Sequence, residues 1–207
     1  MKIMIHTIVF DLSEVLIAGL LGVEKVLSPL LHVPEETILP ALGGAPMEEL
    51  FRGKVSEEYY LSQVLQEQSL HKHGWNTSID TLKAVFRKNF EHRVSGMEEV
   101  LSKLGAKYEL LLLSDHAREW IEHIREIHPF LEIFDHQVFS FETGQLKKEA
   151  STFHTMLQII NRKPEECLFV DDNPLNVKAA GEVRVISVEF EGTKQLIGTL
   201  RSLEVLL

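Results

Sequence analysis

Ile8-Val9-Phe10-Asp11-Leu12-Ser13-Glu14-Val15 carries a short apolar run straight into a carboxylate and then turns polar. A run of this length reads as a buried strand whose tip delivers Asp11 out of the core. Three later segments end or follow apolar runs in the same manner. They are Leu111-Leu112-Leu113-Ser114-Asp115, Gly144-Gln145-Leu146-Lys147-Lys148, and Cys167-Leu168-Phe169-Val170-Asp171-Asp172-Asn173-Pro174. Five strands are predicted: Met4 to Phe10, Tyr108 to Leu113, Gln137 to Phe139, Leu168 to Val170 and Arg184 to Val188. Between the later ones fall helical patterns at Met97 to Leu104, Ala117 to Ile127, Ser151 to Ile160 and Leu175 to Ala180. Such alternation makes βαβ units and a parallel sheet covered on both faces. Ligands of these sheets bind beyond the carboxyl ends of the strands, where Asp11, Ser114 and Asp171 would all sit.

From Ile17 to about Arg93 the rhythm changes. Helix-like segments succeed one another without a convincing strand, punctuated by Pro34, Pro40, Gly43-Gly44, Pro46, Gly53 and Gly74. The expected architecture is therefore α/β: a Rossmann-like parallel sheet core, residues 1–16 and 94–207, with an inserted all-helical segment, residues 17–93. The closing helix, Thr193 to Leu206, places Leu196, Ile197, Leu200 and Leu203 at helical spacing, which favours packing on the sheet.

Together the four segments resemble the haloacid dehalogenase-like superfamily. Its order is a nucleophilic Asp, a phosphate-binding Ser or Thr, a charge-neutralising Lys and a metal-binding acidic pair. Each member alone has a plain structural explanation: a turn at Asp11, a helix cap at Ser114, a solvated lysine pair, and a helix start at Asn173-Pro174. Four such coincidences in the family's order are not expected of chance. The resemblance implies that residues 17–93 form the helical cap that closes over the site. It also implies a Mg²⁺-dependent hydrolase of small phosphorylated metabolites, sugar phosphates among them, working through an aspartyl-phosphate at Asp11.

In that reading the catalytic groups are Asp11, Ser114 and Lys147. The metal would be held by Asp11, the Ser13 main-chain carbonyl, Asp171 and, one layer further out, Asp172. Ser114, Asp115, His116 and Lys147 would meet the substrate. Lys147 is preferred to Lys148 because the family pattern is Gly-x-x-Lys-Pro and Gly144 fixes the count, although Lys148 stands where the Pro would be.

One position departs from the phosphatase pattern. The second residue after the nucleophile, usually an Asp that protonates the leaving oxygen and then activates water, is Ser13. A hydroxyl does neither at neutral pH, and positioned acid-base groups contribute about 10²–10⁴-fold, so catalysis is weakened rather than abolished. Leaving groups that depart easily, such as aryl, acyl or anomeric oxygens, suffer least. Glu14 and His116 are candidates to replace the acid, although an extended segment would point Glu14 away from its predecessor. Ser13 also supports two alternatives, a phosphotransferase and a catalytically retired binding or regulatory protein. The dehalogenase reading uses the same nucleophile without a metal, and the Asp171-Asp172 pair weighs against it.

Composition bounds the rest. The 207 residues, 44% hydrophobic and 25% charged, suit one large domain or a core with an insertion. With 31 acidic against 21 basic residues the formal charge is −10, which argues against a general nucleic-acid or anionic-membrane binder. Positive charge for phosphate must therefore be supplied locally. A single Cys167 permits no intrachain disulfide, and the apolar stretch from Val15 to Val23 falls short of the roughly 20 residues of a membrane span. The expectation is a cytoplasmic monomer or homodimer with no membrane partner. Within the insertion, Gly43-Gly44, Arg52 and Lys54 are candidate specificity residues, with a loop and a solvated face as the plainer reading. His71-Lys72-His73 reads as a polar loop, and Trp75 and Trp120 as packing residues.

Overall fold

The computed structural model describes residues 4–66 and 77–205. Five strands, β1 (Thr7–Phe10), β2 (Glu109–Ser114), β3 (His136–Phe139), β4 (Cys167–Asp171) and β5 (Ile186–Glu189), form one sheet in the order β3-β2-β1-β4-β5. Every pairing is parallel. All four residues of β1 and all five of β4 are buried, as strands covered on both faces require.

The two faces divide by the strand period of two. Ile8, Phe10, Leu110, Leu112, Leu168 and Val170 join the larger hydrophobic cluster. Val9, Leu111, Leu113 and Phe169 face the other way, onto Phe153, Met156 and Ala180 of the helices Ala150–Ile160 and Pro174–Glu182.

The strand predictions hold with small shifts at the ends. The expected strand from Arg184 begins at Ile186, because Arg184 adopts a left-handed φ of 67° in a turn closed by its N–H to the Gly181 carbonyl. A four-residue helix, Ser140–Thr143, follows β3 directly and ends on Gly144 at φ 72°. The last helix, expected to reach Leu206, stops at Ser202; Leu196 and Leu200 are buried on it, Leu203 is exposed, and Leu206 lies outside the described residues.

Between β1 and β2 the described residues hold the helices Val23–Leu31, Glu35–Leu42, Ala45–Phe51, Glu57–Leu65 and Ile79–Phe90. Pro40, expected as a break, lies inside the second of these, where it forfeits a single hydrogen bond two residues before the end. The chain enters and leaves this helical segment through a paired neck. Ala18 donates its N–H to the His92 carbonyl at 2.8 Å and Val94 donates to Leu16 at 2.9 Å.

The segment also shares its interior with the sheet. Leu27, Leu61, Phe86 and Phe90 belong to the same cluster as Ile8 and Phe10. Trp120, from the helix Arg118–Ile127, is the plug. Its ring meets Phe51, Tyr60, Phe86 and Phe90 with centroids 5.4–6.4 Å apart, and its indole N–H donates to Glu57 at 2.6 Å. Glu57, itself buried, also accepts a bidentate pair from Arg87, so the carboxylate is not left unpaired among rings.

Candidate active site

Because β1, β2 and β4 are parallel and in register, their carboxyl ends meet at one edge. Phe10 lies beside both Leu112 and Val170, and the Asp11 N–H continues the ladder by donating to Val170 at 2.9 Å. This alignment brings Asp11, Ser114 and Asp171 together at the carboxyl edge of the sheet, the place where parallel sheets bind ligands, and Asp11 lines the cavity there.

Lys147 joins them from the loop after Gly144. Its Nζ, almost fully buried, lies 2.5 Å from Asp11 Oδ1 and 2.7 Å from Asp171 Oδ2. Burial alone would lower the lysine's pKa, but Asp11, Asp171 and Asp115 outweigh it and hold the ammonium charged well above the usual range. Lys148, in contrast, is exposed and pairs with Glu48 at 2.6 Å. The Lys147 main chain is fixed too, its N–H donating to both oxygens of Asp115. Burial pushes the Asp115 carboxyl up to about 6.

Asp171 is completely buried and held from the following helix start. The Asn173 N–H donates to Oδ1 at 2.8 Å, and Asn176 Nδ2 lies 3.1 and 3.2 Å from the two oxygens. Asn173 meanwhile caps its own helix through Leu175 N–H. Asn176 is absent from the sequence-based site, although its position three residues after an N-cap Asn-Pro aims it back at the strand tip.

Oxygen atoms of Asp11, Asp171 and Asp172 lie within 4.8 Å of one another. Against them stands the single charge of Lys147, leaving two negative charges in excess. Burial above all, and then the charge of Asp171, raise the Asp11 carboxyl well above the usual range against the pull of Lys147. Asp172 is raised by burial and by Asp171. Hard oxygen donors with two uncompensated charges fit a small divalent cation, which carboxylates and water hold by preference. Ser114 Oγ, on a residue 1% exposed, finds no hydrogen-bond partner among the described residues. A buried hydroxyl without a partner at a strand tip is free to bond a group or water that enters there.

Glu14 departs from the expected extended conformation. It sits at a left-handed φ of 61°, and its Oε1 accepts the N–H groups of Gly19 and Leu21 at 2.8 and 3.2 Å. The turn therefore brings both Ser13 and Glu14 to the cavity. It is tight enough that a Cβ on Gly19 would lie 2.8 Å from both Glu14 Oε1 and Ser13 Cβ. Ser13 Oγ faces His116 Nε2 at 3.3 Å, and the His116 main-chain N–H donates to Ser140 Oγ. Burial, then the charges of Lys147 and Arg87, push the His116 imidazole down to about 3, so the ring is neutral near pH 7.

Of the insertion's candidates, Gly44 lines the cavity, while Arg52 instead ties its helix to the core loop. Arg52 bonds Glu149 through both terminal nitrogens and the Gly144 carbonyl at 2.8 Å. Lys54 is exposed, and His71-Lys72-His73 and Trp75 lie outside the described residues. Cys167 is buried, with its thiol pushed up to about 12 by that burial, which suits a packing role. No helix among the described residues is long and apolar enough to cross a membrane.

Comparison with known proteins agrees with this geometry. A sequence model of the haloacid dehalogenase-like hydrolase family matches residues 5–184. The chain is 24% identical over 172 residues to a chloroplast protein of Arabidopsis thaliana named flavin mononucleotide hydrolase 1, covering 80% of this chain and 69% of that one. Among solved structures, a predicted hydrolase of the same kind from Porphyromonas gingivalis superimposes with a TM-score of 0.75 at 23% identity, covering 97% of this chain and 98% of that one. A family enzyme of Bacteroides thetaiotaomicron, in complex with magnesium and inorganic phosphate, gives 0.72 at 17% identity over 91% and 95% of the two chains.

Proposed function

The chain belongs to the haloacid dehalogenase-like hydrolase family, and within it we propose a Mg²⁺-dependent phosphomonoesterase of small phosphorylated molecules that works through an aspartyl-phosphate on Asp11. The observation that carries this reading is the charge arithmetic of the floor: three carboxylates share one buried lysine beside an unpartnered hydroxyl. The names of the relatives, a phosphate-ester hydrolase and an enzyme holding magnesium and phosphate, support it.

Asp11, Asp171 and Asp172 would hold the cation, with the Ser13 carbonyl as the family pattern implies. Once bound, it would offset the negative charge of the carboxylates and of the phosphoryl group. Ser114 Oγ donates to one phosphoryl oxygen and Lys147 offers its charge to another. An Asp11 oxygen bonds to phosphorus as the ester P–O bond breaks, and the leaving oxygen departs with the electron pair. Water then bonds to phosphorus, the acyl P–O bond breaks, Asp11 regains its carboxylate and a proton passes to solvent.

None of Ser13, His116 and Glu14 takes over the missing acid's part. Ser13 cannot protonate a leaving oxygen at neutral pH, and His116 is uncharged there. Glu14 is committed to two main-chain N–H groups. We further propose residues 1–16 and 94–207 as the catalytic core and 17–93 as a cap over it.

The test is phosphate release from acetyl phosphate and flavin mononucleotide with Mg²⁺ or with chelator, for wild type and Asp11→Asn. Turnover is expected to be lost both on chelation and in the Asp11→Asn variant, by on the order of 10⁵-fold for loss of a nucleophile. Turnover that survives either change would sink the reading.

A further inference from the structure

The floor of the cavity is charged, but its walls are not. Above Asp11 and Lys147 the lining of this space of about 360 Å³ passes to Leu20, Leu21, Met47, Phe51 and Leu175. Leu21 and Leu175 are 57% and 61% exposed, one on the loop after β1 and the other in the first turn after β4. Single exposed leucines are ordinary; two on the rim of one cavity, with half-buried Met47, Phe51 and Leu20 between floor and rim, form an apolar collar. Several of the polar groups beside it are already engaged. Glu14 holds Gly19 and Leu21, Glu48 holds Lys148, and Asn173 caps its helix. A polyol seated against the collar itself, whose leucine, methionine and phenylalanine side chains offer no hydrogen-bond partner, would give up water without full recovery of its hydrogen bonds.

Ser13 points the same way for a separate reason. A leaving oxygen that receives no proton must depart as an anion. Phenolic oxygens, with pKa about 10, do so far more readily than aliphatic ones, whose pKa lies near the roughly 15.7 of water.

We infer that the substrate is the phosphate monoester of an aromatic hydroxyl, its ring seated against Leu21, Met47, Phe51 and Leu175, which select it. The inference rests on the phosphomonoesterase reading above. In the step it describes, an Asp11 oxygen bonds to phosphorus while the P–O(aryl) bond breaks. The aryloxide leaves with the electron pair and takes its proton from water. A second water then releases phosphate from Asp11 as before.

The experiment compares kcat/KM for 1-naphthyl phosphate, glucose 6-phosphate and acetyl phosphate, all with Mg²⁺, in wild type and in the double variant Met47→Asn/Leu175→Asn. Calorimetry of the first two ligands with Asp11→Asn accompanies it. Naphthyl phosphate is expected to exceed glucose 6-phosphate by about 10²-fold, and the double variant to lower the naphthyl-to-acetyl ratio about tenfold with its circular dichroism unchanged. Glucose 6-phosphate turned over as well as naphthyl phosphate, or a ratio that does not move in the folded variant, overturns the collar while the hydrolase reading stands. Release from none of the three overturns the hydrolase reading. Binding then decides the collar alone: tighter naphthyl phosphate keeps it, and equal affinity removes it. Should the double variant fail to fold, Leu21→Asn, on the exposed rim, carries the same ratio test.

Discussion

The floor of the cavity and its wall are built on opposite terms. On the floor, Asp11, Lys147 and Asp171 are buried and joined by contacts of 2.5–2.7 Å, from the ends of two neighbouring strands and the loop after Gly144. The wall is apolar, half-exposed, and drawn from the loop after β1, the first turn after β4 and a short helix anchored to the core by Arg52–Glu149 and Lys148–Glu48. On the proposed reading the charged floor would serve one reaction for any phosphate monoester, whereas a wall of exposed leucines and a methionine would choose among them by shape and polarity. The contrast separates chemistry from choice of substrate.

The heaviest blow to the wall should come from behind it. Trp120→Ala removes the ring on which Phe51, Phe86 and Phe90 rest, and a loss of about 3–5 kcal/mol is expected in denaturant unfolding. A smaller loss would mean that the inserted helices stand without it.

The floor is probed next by pH. Burial pushes the Asp115 carboxyl up to about 6 in the folded protein, against about 3.9 when unfolded, so the folded state holds the extra proton between those values. Stability of the chelated protein should therefore fall as pH rises from about 4 to 6, by about 3 kcal/mol from this group. Asp115→Asn should flatten that stretch of the curve, and an unchanged slope would remove Asp115 as its source.

Ser13→Asp restores an acid between floor and wall. Turnover of alkyl phosphates should rise about 10²-fold and that of aryl phosphates much less, which sharpens the division if seen. The smallest effect belongs to the latch. Arg52→Ala breaks a partly exposed pair and should cost about 1 kcal/mol or less, read as a shift in thermal midpoint that shrinks in high salt.

The same division governs what can be read from the chain. Asp11, Ser114 and Asp171 are legible because each ends an apolar run, and a parallel sheet aligns such ends by construction. Lys147 is legible through its distance from Gly144. Asn176 escapes because one Asn in a helix carries no pattern until the strand tip it faces is known. Arg52 reads as a charge for ligand or solvent because its partner Glu149 lies 97 residues away, and Trp120 gives no sign of its bond to Glu57, 63 residues distant. Glu14 is misplaced for a local reason. Its left-handed turn depends on Gly19 coming close, which periodicity does not encode.

The neck at Ala18–His92 and Leu16–Val94 has a consequence for descent. Since the two ends of the inserted segment lie side by side, residues can be added or lost between them without moving the strand tips, as chain insertions are tolerated where entry and exit adjoin. Changes of length or surface in that segment would therefore leave Asp11, Lys147 and Asp171 where they stand.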